Sequence, residues 1–296
     1  MRGKRSRRAI AIGFASAACT AGAAIAQAPA TPAGNYGGGA IALPVDEDTV
    51  AKDMLLSIRA LASGRIGVDG QVPTNCGQAT IRGRTMLAPD GSFTLRGDAT
   101  RKEDGFTRRT TFTVRGRLTA DGGTGTASAA LRDRARKGEP RTCKSRTVQW
   151  TLRRGAAAAA PAPAPAEATL FGLTAQDGPS AKRAVALHVT KGGRAIDRFI
   201  LSFRVRCEKR RIDVTDDVNY SPEFDVAADG SFRFVERFRR TYKDAIERTT
   251  VVLRGQFDEA GAVAGKLSVT QRYSNRRNGR RIDVCRTGTQ PWSARP

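Results

Sequence analysis

The sequence is poor in the residues from which most active sites and metal centres are built. It contains a single histidine, His188, only 6% aromatic residues, and five cysteines in 296 positions. No CxxC pair accompanies the histidine, which argues against a zinc site. There is also no GxSxG motif and no glycine-rich loop followed by Lys-Ser/Thr, so two common catalytic and phosphate-binding arrangements are missing. We therefore expect a non-catalytic protein with no cofactor and no metal, in which His188 is an exposed strand residue.

The strongest feature that is present is an internal repeat. Residues 109–118 (RTTFTVRGRL) return as residues 248–257 (RTTVVLRGQF), and PDGSF at 89–93 returns as ADGSF at 228–232. Apolar and polar side chains alternate through both copies, which is the pattern of a half-buried strand. Gly116 and Gly255 fall on the apolar face, where a missing side chain indicates a bend, a bulge or the close approach of another strand.

Strand-like segments and turn signals surround this repeat. Asp-Gly pairs such as Asp90-Gly91 and Asp229-Gly230 are typical of tight connections between antiparallel strands. Residues 46–61 are compatible with a helix or a strand, and we favour the strand. The sequence thus predicts an all-β protein of two tandem antiparallel domains, each a β-sandwich or a small meander barrel.

Composition divides the chain into five segments. We predict a signal peptide at 1–27, a disordered Ala/Pro/Gly-rich segment at 28–45, a first β domain at 46–154, an Ala/Pro linker at 155–168 and a second β domain at 169–296. Alternating Ala-Pro favours an extended, semi-rigid spacer. We therefore expect the two domains to be held apart.

The N-terminal segment indicates export. A basic start (MRGKRSRR) precedes a weakly apolar stretch and small residues near Ala26 and Ala28, as in secretory signals. Arg7-Arg8 leaves a twin-arginine route open, and Cys19 leaves lipidation open. Removal of the five cations in residues 1–27 lowers the formal net charge from +23 to +18. We expect no stable membrane span after cleavage and a location outside the cell or in its envelope.

Four cysteines remain after cleavage, and they allow three pairings. The duplication favours Cys76–Cys143 and Cys207–Cys285, one bond in each copy, and export makes oxidation plausible. Trp150 and Trp292 each follow the second cysteine of their copy by seven residues. We expect both indoles to pack in a core near the disulfide.

Basic charge is the feature that points to a partner. Arginine and lysine number 51 against 28 acidic residues, and arginine dominates. Such a field attracts polyanions, whereas the scarcity of aromatics and the export signal make nucleic acid an improbable partner. A protein partner remains open. The candidate anion-binding residues are Arg115, Arg117, Arg210, Arg211, Arg254, Arg280 and Arg281.

The motif GSF…RTT-x3-RGxF…Cys-x3-Thr-x2-Trp resembles a group of exported bacterial β domains, often in arginine-rich proteins, whose function is not assigned. The resemblance covers residues 65–154 and 193–296 and implies the all-β fold, with no functional residues to transfer. The expected role is binding or scaffolding at the envelope or outside the cell, with anionic polymers as the candidate ligands. The alternative is a small-ligand-binding barrel or a hydrolase with an unrecognised site.

Overall fold

The computed structural model describes residues 32–43, 52–103, 106–135, 139–155, 160–178, 181–209, 215–218 and 223–296. The predicted signal peptide lies outside these residues. Among them, no helix is long and apolar enough to cross a membrane.

The first repeat forms one antiparallel sheet of nine strands. They are Gly34–Ala40 (β1), Met54–Ala60 (β2), Arg65–Thr74 (β3), Gly77–Met86 (β4), Ser92–Glu103 (β5), Phe106–Leu118 (β6), Gly122–Ala135 (β7), Arg141–Lys144 (β8) and Val148–Arg153 (β9).

The second repeat forms a sheet of eleven strands. They are Ala168–Asp177 (β10), Lys182–Thr190 (β11), Ala195–Arg204 (β12), Arg206–Cys207 (β13), Thr215–Val218 (β14), Phe224–Asp225 (β15), Ser231–Thr241 (β16), Ala245–Phe257 (β17), Val263–Asn275 (β18), Arg281–Arg286 (β19) and Gln290–Arg295 (β20).

Both sheets have the same topology. In the first, the strand order is β4-β3-β2-β1-β9-β7-β6-β5, with β8 beside β7. In the second, β14-β12-β11-β10-β20-β18-β17-β16 follow the same path, with β19 beside β18. The final strand of each repeat therefore lies beside its first strand: β9 is between β1 and β7, and β20 is between β10 and β18. Each sheet is curled into a barrel or half-barrel, which confirms the all-β prediction and favours the barrel over the sandwich.

The inner face of each curled sheet encloses a separate core. Trp150 is 2% exposed in the first core and Trp292 is 3% exposed in the second, as predicted. Cys76–Cys143 and Cys207–Cys285 are the disulfides. A Cβ atom at Gly116 would overlap the indole of Trp150, and one at Gly255 would overlap the ring of Phe232. The glycines thus make room for aromatic rings that fill the cores.

The prediction of disorder before the first domain was wrong for residues 34–40. They form β1, which pairs with β2 on one side and with β9 on the other. Gly37, Gly38 and Gly39 suggested a loop by composition, yet the absence of side chains is what lets this strand lie against the second repeat. A Cβ at Gly37 would overlap the backbone oxygen of Gly172.

The prediction that the two domains are held apart was also wrong. Residues 31–296 form one compact unit. A third apolar cluster joins the outer faces of the two sheets, because Leu55 from β2 packs with four residues of the second repeat. These four are Phe171, Ala184, Ala186 and Ile200.

The Ala/Pro segment is not a free spacer in its described part. The Ala162 N–H donates to the Phe257 carbonyl at 3.0 Å, and the Gly193 N–H donates to the Ala166 carbonyl at 2.9 Å. Ala164 packs against the second core. These contacts hold residues 160–167 along the second domain, so the linker cannot keep the domains apart.

We predict that Phe171→Ala lowers the free energy of unfolding by about 3–4 kcal/mol, because it leaves a cavity between the two sheets. Urea denaturation measures the change. Met86→Ala is the matched control, since Met86 is 54% exposed on β4 and its loss should cost less than about 0.5 kcal/mol. Equal, small effects of the two substitutions would contradict the packed arrangement.

Candidate anion-binding surfaces

The predicted arginines fall on different parts of the fold. Arg115 and Arg117 are exposed on the outer face of β6, and Arg254 occupies the position equivalent to Arg115 on β17. Arg280 and Arg281 are exposed where β19 begins. Arg210 and Arg211 lie outside the described residues. The structure therefore brings Arg115 and Arg117 together, but the predicted set does not form one site.

Arg281 is less available to a ligand than its exposure suggests. Its guanidinium and that of Arg286 both donate to the carboxylate of Glu208. The hydrogen bond from Arg286 and the charges of both arginines hold the pKa of Glu208 below its usual range. Glu208 thus compensates one of the two positive charges of Arg281 and Arg286 and engages both guanidinium groups.

The outer face of β5, β6 and β7 is strongly basic. Its one acidic residue among the described side chains is Asp98, which accepts hydrogen bonds from Arg109. Threonines occupy many positions between the cations, and Thr94 and Thr126 flank Arg115 across the strands. The basic residues of this face are Arg96, Lys102, Arg109, Arg115, Arg117, Arg132 and Arg134.

The outer face of β16, β17 and β18 is also basic, and none of its described side chains is acidic. The strand register places Arg233 opposite Arg254 and Arg254 opposite Lys266. Sequence reasoning identified Arg254 alone of these three, because the register between strands cannot be obtained from local clusters of arginine. The basic residues of this face are Arg233, Arg237, Arg239, Arg248, Arg254, Lys266 and Arg272.

A cleft of about 350 Å³ lies between the two domains and was not predicted. Its walls come from both repeats and include Asp69 and Arg82 from the first and Arg183 and Ser202 from the second. The volume falls within the range of small-molecule sites.

Asp69 is the central charged group of this cleft. Its carboxylate oxygens lie 3.5 Å from Nε of Arg82 and 4.0 Å from Nη1 of Arg183. Burial raises the pKa of Asp69, and the two arginines oppose that shift. Nη1 of Arg183 also donates to Oγ of Ser202 at 3.2 Å. The cleft can hold a small polar or anionic molecule beside a buried charge pair.

A second buried ion pair joins the domains. Oδ2 of Asp53 in the first repeat lies 3.4 Å from Nε of Arg198 in the second, and the two side chains are 4% and 2% exposed. The Ala42 N–H donates to Oδ1 of Asp53 at 2.8 Å. Burial raises the pKa of Asp53 to about 6, against the opposing effects of that hydrogen bond and of Arg198.

His188 is buried, so the prediction of an exposed strand residue was wrong. It lies on the outer face of β11, opposite Arg198, and is 6% exposed. Its Nδ1 is 2.8 Å from Oδ1 of Asp197. The outer face of β11 is covered by the first domain, which explains why a position that alternates with core residues is not solvated.

Metal binding was not predicted, and one group of possible ligands occurs within the described ranges. Cys207, Asp283 and Cys285 lie close together. Both sulfurs belong to the disulfide, so neither is a thiolate ligand.

Comparisons with protein-family models, with curated proteins and with solved structures found no match.

The raised pKa of Asp53 predicts a specific pH dependence of stability. Between about pH 4 and pH 6 the folded state binds more protons at this carboxyl than the unfolded state, so the free energy of unfolding falls as the pH rises. Relative to that of Asp53→Asn, the free energy of unfolding of the wild-type protein should fall by up to about 3 kcal/mol across this range. Urea denaturation at stepped pH values measures the difference.

Asp90→Asn is the control for this measurement. Hydrogen bonds from Ser92 lower the pKa of Asp90, so its contribution to stability has the opposite sign and is lost as the pH falls. A wild-type protein that gains stability with rising pH relative to Asp53→Asn would show that the attraction of Arg198 outweighs burial.

Proposed function

We propose that this protein is an exported, non-catalytic binding or scaffolding protein of the cell envelope or its surroundings, and that it binds anionic polymers. The observation that carries the proposal is the basic outer face that each repeat presents to solvent. A surface with many exposed cations and few acids attracts polyanions and raises their association rate.

Export is supported by the cysteines. All four cysteines of residues 28–296 are in disulfides, one in each repeat. Disulfides persist mainly in oxidising compartments. The basic and weakly apolar segment at 1–27 supports the same location.

The histidine and the cysteines, which are common catalytic bases and nucleophiles, support a non-catalytic role. The single histidine is buried against Asp197, and the disulfide cysteines offer no thiolate. Neither group is exposed on a basic face, so neither is placed to act on a polymer bound there.

The packing of the two domains determines whether one polymer chain can bind both basic faces at once. Because residues 31–296 form one compact unit, the two basic faces have a fixed relation to each other. A polymer gains effective concentration from two sites only when it can span them. Long chains should therefore bind more tightly than short fragments of the same polymer.

The test is binding of residues 28–296, which include the whole compact unit, to polygalacturonate and to neutral dextran. We expect binding to polygalacturonate alone, weakened at least tenfold (on the order of one log unit) between 50 and 200 mM salt as counterion release requires. Biolayer interferometry or isothermal calorimetry measures the affinity. Equal binding to both polymers, or binding that is insensitive to salt, would contradict the proposal.

The cleft at Asp69 favours a second candidate function, the binding of a small ligand between the domains. It is a concave site with charged groups from both repeats, whereas the basic faces are open. Hydrogen exchange of the cleft residues measures the occupancy of this site. Protection of their amides by a small carboxylate such as citrate, but not by polymers, would favour this function over polymer binding.

A further inference from the structure

Two rows of basic side chains cross the outer face of the second repeat. Row A consists of Arg233, Arg254 and Lys266, which lie directly opposite one another on β16, β17 and β18. Row B consists of Arg239, Arg248 and Arg272, in the same relation. All six side chains are exposed.

Such rows are unfavourable in an isolated sheet. Side chains directly opposite each other on antiparallel strands have Cβ atoms about 4.5–5.5 Å apart, and like charges at that separation repel. Within the part of the chain that the structure describes, no acidic side chain shares this face, and none of the six residues forms an ion pair. A bound polyanion would relieve the repulsion.

The first repeat shows that the fold does not require these rows. The positions equivalent to row A are Thr94, Arg115 and Thr126, which hold a single cation. At the positions equivalent to row B, which are Thr100, Arg109 and Arg132, Arg109 lies opposite Arg132 and forms an ion pair with Asp98. The same topology therefore needs no row of three cations, and the first repeat places an acid beside its opposed pair, whereas the described outer face of the second repeat has none.

The spacing of the rows suits an extended chain. Neighbouring strands are about 4.8 Å apart, and each row spans two such steps. Arg248 and Arg254 are six residues apart on β17, which places the rows about 20 Å from each other. One extended polymer chain lying along the strands can therefore reach both rows and meet three cations at each.

The outer face between the rows carries small side chains, with the exception of Arg237. Val252 lies between Val235 and Ser268, and Thr250 lies between Arg237 and Thr270. Hydroxyl groups can hydrogen-bond to sugar hydroxyls, whereas stacking of nucleic-acid bases requires aromatic side chains, which this face lacks. This part of the face therefore favours a glycan over a single-stranded nucleic acid.

We propose that rows A and B form a binding site for a linear polysaccharide that carries carboxylates, with guanidinium groups as the main ligands of those carboxylates. Arginine suits this role because its planar fork donates two hydrogen bonds to one carboxylate. This inference rests on the proposed function and assigns it to one face of the second repeat.

The experiment compares three triple variants of residues 28–296 with the wild-type protein. The row A variant is R233Q/R254Q/K266Q, and the row B variant is R239Q/R248Q/R272Q. The matched control is R59Q/R65Q/R84Q, which removes the same charge from exposed positions of β2, β3 and β4, outside both basic faces. The probes are polygalacturonate, polyphosphate, double-stranded DNA and dextran.

We expect each row variant to weaken binding of polygalacturonate at least tenfold and the control to weaken it about threefold or less, because net charge alone accounts for the smaller effect. Equal losses in the row variants and the control, in a wild-type protein that binds, would overturn the site while leaving the proposed function intact. Failure of the wild-type protein to bind any anionic probe would overturn both. Tighter binding of polyphosphate or DNA through the same rows would overturn the polysaccharide class.

Stability supplies an independent readout. Removing opposed cations should raise the melting temperature of each row variant by about 1–3 °C, since each substitution relieves a repulsion between neighbouring strands. The control should change it by less than about 1 °C. A lower melting temperature in both row variants would show that the residues stabilise the sheet, and would contradict the repulsion from which the site is inferred.

Discussion

The outer face of β1 lies against the outer faces of β10 and β11, and the distribution of charge over the molecule depends on this packing. The outer face of each curled sheet is covered in one half of the repeat and exposed to solvent in the other. In the first half of each repeat the outer face is buried by the other domain, with Leu55, Phe171 and Ile200 in the interface. In the second half it meets solvent, where side chains such as Arg115 and Arg254 are tolerated because nothing covers them.

Charges that do enter the interface are paired. Asp53 with Arg198 and Asp69 with Arg183 link the two repeats across buried surface. Removing one partner of such a pair leaves an uncompensated charge, which is strongly destabilising. These pairs therefore specify how the domains meet more than they add to stability. The cleft beside Asp69 lies where the two curved surfaces meet.

Much of each domain could be predicted from the sequence, because the repeat revealed the period of its strands. The bounds of β6 and β19 and the two disulfides follow from local patterns and from duplication. Residues 37–39 could not be recognised as a strand, since three glycines carry no alternation. Burial of the outer face of β11 did leave a signal: Ala184, Val185, Ala186 and Leu187 form a continuous apolar run, which is typical of a strand covered on both sides. Rows A and B depend on the register between strands, which local sequence does not encode.

Small-angle X-ray scattering of residues 31–296 tests the packing of the domains most directly. A single compact unit of that length has a radius of gyration of about 18 Å by the scaling of folded domains, and modest elongation raises it to about 21 Å. The account predicts a value in this range that does not change with salt. A radius well above about 25 Å would mean that the two domains are separate, and the division of each outer face into a covered half and a basic half would then lose its basis.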